Sequence, residues 1–191
     1  MPFGTDGRNG PTLYPCRAYL DYEGFQLGKV RNGLRGCSIP YGGQEHYVTN
    51  YQVLTSTIPL RIQAVNSATP SSGALVGGYD SNNAPLVVCQ AQYGGGLVPG
   101  KVPSGWSSCV VSYGGTEHYV STYNVLVPNF KSPPGTVYKA GTDWNGNALG
   151  ICNASYGNST QVGKYLTNGY CNFGYGGREV SLSSGYQVLS K

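Results

Sequence analysis

The stretch YGGQEHYV at 41–48 returns as YGGTEHYV at 113–120 and, more loosely, as YGGREVSL at 175–182. Self-similarity of this kind sets the architecture before any other signal. Each copy runs into a Tyr-x-Val-Leu tail, at Tyr51–Leu54, Tyr123–Leu126 and Tyr186–Leu189, and each follows a Gly-Lys pair at Lys29, Lys101 or Lys164. Further upstream an Asp stands in a Gly-rich turn: GTDGRNG at 4–10, GGYDSNNA at 77–84 and GTDWNGN at 141–147. A strand-like piece with one Cys comes next, and a second Cys follows it. The pairs Cys16/Cys37, Cys89/Cys109 and Cys152/Cys171 are 21, 20 and 19 residues apart.

Three units result, 1–56, 57–128 and 129–191. About twenty residues, Thr55 to Ala74, lead into the middle Asp turn, where the first unit has only Met1 to Phe3. This opening segment contains Ala74-Leu75-Val76 in the middle unit and Thr136-Val137-Tyr138 in the last, both apolar and β-prone. The first unit therefore reads as lacking a strand. A bare sheet edge is expected there, and bare edges invite strand exchange or dimerisation.

No segment shows a sustained 3.6-residue apolar period. Short runs of Val, Leu, Tyr and Thr alternate with Gly, Pro, Asn and Ser clusters, which predicts an all-β, antiparallel fold. The length suffices for a sizeable core. Charged residues are 10% of the chain against a usual 25% or so, and 30 residues are Gly. An aromatic share of 12%, with 17 Tyr, argues against disorder. The net charge of +4 arises without a basic run, so no nucleic-acid partner is expected. No apolar stretch approaches the roughly 18 residues of a membrane span, and a soluble protein is expected. The start, MPFGTDGRNG, has neither a basic n-region nor an apolar h-region. Localisation stays open between the extracellular space and a leaderless cytoplasmic pool released outside.

Six of the eight acidic residues occupy two repeated positions: Asp6, Asp80 and Asp143, then Glu45, Glu117 and Glu179. Asp-to-Lys spacings are 23, 21 and 21 residues and Lys-to-Glu spacings 16, 16 and 15, which fits one site per unit. A carboxylate accepts and an ammonium donates, a combination suited to the vicinal hydroxyls of a sugar. The alternative stands beside it: Asp caps its own turn, while Glu and Lys form a structural ion pair. Trp144 follows Asp143 and offers a face to stack on a pyranose ring, or is an ordinary aromatic. Trp106 reads as packing, because its counterparts Leu34 and Tyr170 are also bulky.

His46 and His118 are replaced by Val180 in the third unit, which suggests half-buried strand positions rather than a base or ligand. No zinc spacing and no carboxylate-dense calcium loop is present, so no metal and no cofactor is expected. No Gly-x-Ser-x-Gly elbow appears. A glycosidase built on the Asp/Glu pairs ranks below binding, since three copies of one dyad would be unusual. The six Cys form three disulfides within units, favouring an extracellular setting, or are small buried hydrophobes; both readings stay open. Asn153-Ala154-Ser155 and Asn158-Ser159-Thr160 match the glycosylation sequon.

The run Gly-Gly-Tyr-Asp80, Pro99-Gly100-Lys101, Tyr-Gly-Gly-x-Glu117-His and Tyr-x-Val-Leu resembles the DM-nine repeat family over nearly the whole chain. Its best-understood relatives are molluscan mannose-specific lectins that need no metal and recognise microbial glycans. The resemblance implies a lectin in which Asp80 and Lys101 contact sugar hydroxyls. It carries over to Asp143 and Lys164, where Gly141-Thr142 and Val162 depart from the pattern, and to Asp6 and Lys29, where Leu27 replaces Pro.

The expected function is a non-enzymatic, metal-independent, multivalent lectin for mannose-type glycans or microbial polysaccharides, with homo-oligomerisation as a further expectation. Its site residues are Asp80, Lys101, Asp143, Lys164, Asp6, Lys29, Glu117, Glu179, Glu45 and Trp144. The alternative is a structural or self-assembling matrix or filament protein without a sugar ligand.

Overall fold

A computed structural model of the chain describes residues 1–133 and 136–191. The described residues form two compact units, one of 1–56 with 61–127 and one of 57–60 with 128–191. The first two sequence repeats thus share one body, and the third makes up most of the other.

In the first body the strands are β1 (Gly4–Thr5), β2 (Thr12–Leu20), β3 (Gly24–Val30), β4 (Cys37–Tyr41), β5 (Gln44–Val48) and β6 (Tyr51–Val53). They continue as β7 (Leu60–Asn66), β8 (Val76–Asp80), β9 (Pro85–Tyr93), β10 (Gly96–Pro103), β11 (Cys109–Tyr113), β12 (Thr116–Val120) and β13 (Thr122–Pro128). The sheet order is β6-β2-β1-β10-β11-β12-β5-β4-β3-β8-β9-β13-β7, with further pairings β2–β3 and β9–β10. Each further pairing closes a ring of eight antiparallel strands, and the two rings share β3, β4, β5, β10, β11 and β12. Closure hides strand edges that an open sheet would expose.

The repeated Tyr-Gly-Gly motif makes the tight turns of the hairpins. Gly42-Gly43 and Gly114-Gly115 have φ of 58° and 79°, and 62° and 88°, the left-handed pair that a two-residue turn between twisted strands demands. Tyr41 then faces Gln44 and Tyr113 faces Thr116 across the ladder.

The second body holds β14 (Phe130–Lys131), β15 (Lys139–Thr142), β16 (Ala148–Tyr156), β17 (Ser159–Tyr165), β18 (Cys171–Tyr175), β19 (Arg178–Leu182) and β20 (Tyr186–Leu189). The order is β14-β20-β16-β17-β18-β19, with β15 beside β16. Here the counterparts of buried strands lie open. Gln26 to Val30 of β3 and Val98 to Val102 of β10 are buried, whereas β17 has no buried residue.

All six Cys are paired within repeats, as Cys16–Cys37, Cys89–Cys109 and Cys152–Cys171. Each bridge lies in its repeat's apolar core, with Ile39 and Val30, with Val98 and Val111, or with Phe173 and Val188. Closing a loop of 20 residues limits the unfolded chain, so replacing Cys89 and Cys109 by Ala is expected to cost about 3 kcal/mol. A lower urea midpoint at nearly unchanged slope measures it.

The edge expected in the first repeat is β6, which among the described residues pairs with β2 alone, whereas its counterpart β13 lies between β9 and β7. β7, at Leu60–Asn66, lies in the segment that leads into the second repeat, upstream of the Ala74-Leu75-Val76 piece read from sequence. Leu75 serves as a bridge, its N–H donating to Leu126 O at 2.8 Å and its carbonyl accepting from Val88 N–H at 2.9 Å.

Candidate functional site

Lys101 projects from the middle of β10, beside Gly100, where its strand is covered on both faces. Its ammonium donates to Gln26 Oε1 at 2.5 Å and to Pro40 O at 2.6 Å, and it lies 5.0 Å from the centre of the Tyr41 ring. Both acceptors belong to the first repeat. One N–H of the ammonium is left over, and no carboxylate among the described residues is within ion-pair distance of it. Burial lowers its pKa to about 8, against the opposing pull of Glu117 and Glu23.

Asp80 closes β8. Its Oδ1 accepts from the N–H groups of Asn82 at 2.9 Å and Ala84 at 2.8 Å, the turn-capping role foreseen as the alternative. Its Oδ2 has no hydrogen-bond partner among the described residues. Asp80 and Lys101 both line a cavity of about 540 Å³, together with Glu117, Glu23, Tyr41 and Trp106. The Tyr41 hydroxyl donates to Glu23 Oε2, which, with burial, pushes its pKa up to about 12. Glu117 Oε2 accepts from Gly43 N–H at 2.8 Å and from the Tyr119 hydroxyl at 2.9 Å. Trp106 stacks on Tyr119 at 5.9 Å between centroids and is 46% exposed. The packing role read for Trp106 is thus corrected: it forms an aromatic wall of the cavity. An acceptor, a donor and an apolar face converge here.

The equivalent residues of the first repeat have partners for their charges. Arg31, which stands where the second repeat has Pro103, donates from Nε to Asp6 Oδ2 at 2.6 Å. The Lys29 ammonium donates to Glu45 Oε1 at 3.0 Å, to Ser112 Oγ at 3.0 Å, to Ser38 Oγ at 3.2 Å and to Ser112 O. Burial of Glu45 would raise its pKa. The Ser38 hydroxyl, the Lys29 ammonium and the Gly115 N–H outweigh it and hold the carboxyl at about 2. Burial lowers the pKa of Lys29, and Glu45 opposes that shift.

In the third repeat Lys164 pairs with Glu179 at 2.8 Å, and both side chains are at least half exposed. That pair lowers the Glu179 pKa. Asp143 uses both oxygens in its own turn: Oδ1 accepts from Asn145 and Asn147 N–H, and Oδ2 from Asn147 Nδ2 at 3.0 Å. Asp143 and Trp144 are not among the residues lining the depression around Lys164. Trp144 is 93% exposed. The two histidines are half-buried strand residues whose Nε2 atoms lie 3.0 Å from Tyr41 O and Tyr113 O.

The DM9 (DM-nine) repeat matches residues 6–120 and again residues 104–182. The chain belongs to the DM9 repeat family. No curated protein matches it in sequence. Among solved structures, the crystal structure of the nematode sperm cell motility protein MFP2B aligns at a TM-score of 0.43 and 15% identity. That alignment covers 100% of this chain and 71% of the nematode protein's.

Within the DM9 frame, the residues not foreseen from sequence are those that cross between repeats. Glu23, Gln26 and Tyr41 belong to the first repeat and line the cavity holding Asp80 and Lys101 of the second. Glu23 carried one signal: with Asp21 it is a carboxylate outside the repeated positions of a chain poor in charge. Arg31 carried another, as a charge where the neighbouring DM9 copy has Pro103.

Proposed function

We propose that this DM9 protein is a non-enzymatic, metal-independent lectin whose principal site is the cavity holding Asp80 and Lys101, and that its ligands are mannose-type glycans. One observation carries the reading. An ammonium with an unused N–H and a carboxylate with an unused oxygen share a 540 Å³ cavity with the exposed Trp106–Tyr119 stack. Vicinal hydroxyls ask for such a donor and acceptor, and the apolar face of a pyranose asks for the ring. The family resemblance to mannose lectins supports the same ligand class. Glu117 lines the cavity and is positioned to take a further hydroxyl. Asp6, Lys29 and Glu45 already have their charges matched within the protein, so binding is assigned first to the second repeat. Asp143, Trp144, Lys164 and Glu179 form a more open surface in the third repeat. Three disulfides suit an oxidising compartment, as an extracellular glycan receptor would meet.

A glycan array probed with the purified chain, followed by competition with free mannose, tests the reading. Binding to mannose-terminated glycans that mannose reverses is the expected result. Silence on the array, with filaments or sheets forming in the absence of sugar, would favour the structural alternative.

A further inference from the structure

The first body is built by mutual embrace. Its β1 crosses to the second repeat, Thr5 facing Leu97, and its β8 crosses to the first, with Gly24 facing Asp80 and Phe25 facing Tyr79. Where β5 meets β12, Glu45 N–H donates to Gly115 O at 3.1 Å and Glu117 N–H to Gly43 O at 3.2 Å. Each carboxylate also accepts the facing glycine N–H, Gly115 to Glu45 and Gly43 to Glu117, at 2.8 Å. What one repeat does to the other is returned.

The third repeat carries the same parts without that embrace. Its β15 pairs with β16 alone, and among the described residues neither its outer edge nor that of β19 meets another strand. Residues that the embrace covers elsewhere stand open: Leu27 is 3% exposed, its counterpart Val162 is 66% exposed. A shallow depression of about 650 Å³, with Val162, Lys164, Phe173, Tyr175 and Glu179 in its lining, occupies that face. The Lys164–Glu179 pair already repeats the Lys29–Glu45 pair, which in the first body presents its other carboxylate oxygen to the facing repeat.

Gly141 supplies an independent pointer. Its counterparts Gly4 and Gly78 are glycines for a visible reason: a Cβ would strike Leu97 O at 2.2 Å or Phe25 O at 2.1 Å, backbone of the embracing repeat. A Cβ on Gly141 meets nothing within 4 Å. At Gly141 no described residue takes the place that a crossing strand fills at Gly4 and Gly78.

We propose that the third repeat is completed by the third repeat of a second copy of this chain, through a two-fold interface of the kind that joins the first two repeats. Such an interface is isologous and closes as a dimer. The register follows from the first body: Thr142 faces the partner's Thr160, Asp143 faces the partner's Ser159, and Gly177 N–H donates to the partner's Glu179. One position departs from the template. Ser159 stands where Gly24 and Gly96 pass beneath the crossing strand, and a Cβ on those glycines would lie 2.4 Å from Tyr79 O or 2.2 Å from Thr5 O. The seam between copies therefore opens slightly at Ser159, making this dimer weaker than the internal pair of repeats. This inference is independent of the ligand assigned above.

Sedimentation velocity over a concentration series tests it, with three forms of the full chain. The wild type is expected to reach twice the 20.2 kDa of one chain as concentration rises. Gly141→Val is expected to stay monomeric with an unchanged circular dichroism spectrum and melting curve, because the added side chain has open space in the monomer. Ser159→Gly is expected to shift the equilibrium toward dimer. A wild type that stays monomeric throughout overturns the proposal. So does a Gly141→Val chain that dimerises like the wild type, or a Ser159→Gly chain that dimerises no better.

Discussion

Lys101→Met is expected to weaken binding of mannose-terminated glycans by about 10- to 100-fold, because a hydrogen bond from a charged group contributes roughly 1.5–3 kcal/mol. Folding is expected to survive the change. The ammonium is buried with two neutral acceptors and no ion-pair partner, and replacing an unpaired buried charge by an apolar chain of similar volume is tolerated. Titration of wild-type binding adds a check. With a pKa near 8, Lys101 is charged at neutral pH and loses its proton through the weakly alkaline range, so affinity falls there. The same titration acts on stability with the opposite sign. The folded-state pKa lies below the unfolded value of 10.5, so the unfolded chain binds more protons between about 8 and 10.5. The contribution of Lys101 to stability therefore rises with pH in that window. Calorimetric titration of a mannose glycan into wild type and Lys101→Met measures the first effect. Equal affinities would remove Lys101 from the site.

The antiparallel all-β fold was legible in the strand-like runs between turn clusters, and the turns that realise it rest on local chemistry. Two consecutive glycines between alternating strands specify a left-handed two-residue turn, and 42–43 and 114–115 form it. The Asp turns were legible for the same reason, since an Asp that accepts from the N–H groups two and four residues on needs only its own loop. The cysteine pairing was open in the sequence, and adjacent strands decide it. Lys101 shows where local reading stops. Its two acceptors lie 75 and 61 residues away, in a repeat that looks, residue by residue, like a self-sufficient copy. Periodicity says that copies are alike; it does not say that β8 of one lies against β3 of the other. The departures at Gly141-Thr142, Val162 and Leu27 marked the copies as unequal, but not the contact that makes them so. Arg31 neutralises Asp6 across 25 residues, a contact that exists only once β1 and β3 are in place. Trp106 was read as packing because its counterparts are large, although size does not say which side of a loop faces solvent.

The largest stability effect is expected at the other lysine. In the first repeat Lys29 and Glu45 have side chains only 5% and 4% exposed; Lys29 donates to Ser112 of the second repeat, and Glu45 accepts from Gly115 N–H of the same repeat. Glu45→Ala leaves the ammonium with the serine oxygens alone, and removing one partner of a buried ion pair costs about 3–5 kcal/mol. A fall in melting temperature on the order of 10 °C follows. The alanine also opens the seam, because Gly115 N–H loses its acceptor. The pair itself is not the source of stability, so the double variant Lys29→Met with Glu45→Leu is expected to regain most of the loss. Acid titration separates charge from packing. Glu45 has a folded-state pKa near 2 against 4.5 unfolded, so its contribution is complete above about 4.5 and is lost as pH falls toward 2. The gap in stability between wild type and Glu45→Ala should therefore narrow across that range, leaving the part that reflects lost contacts. A gap that stays constant from neutral pH down to the lower limit would assign the whole cost to packing and none to the carboxylate charge.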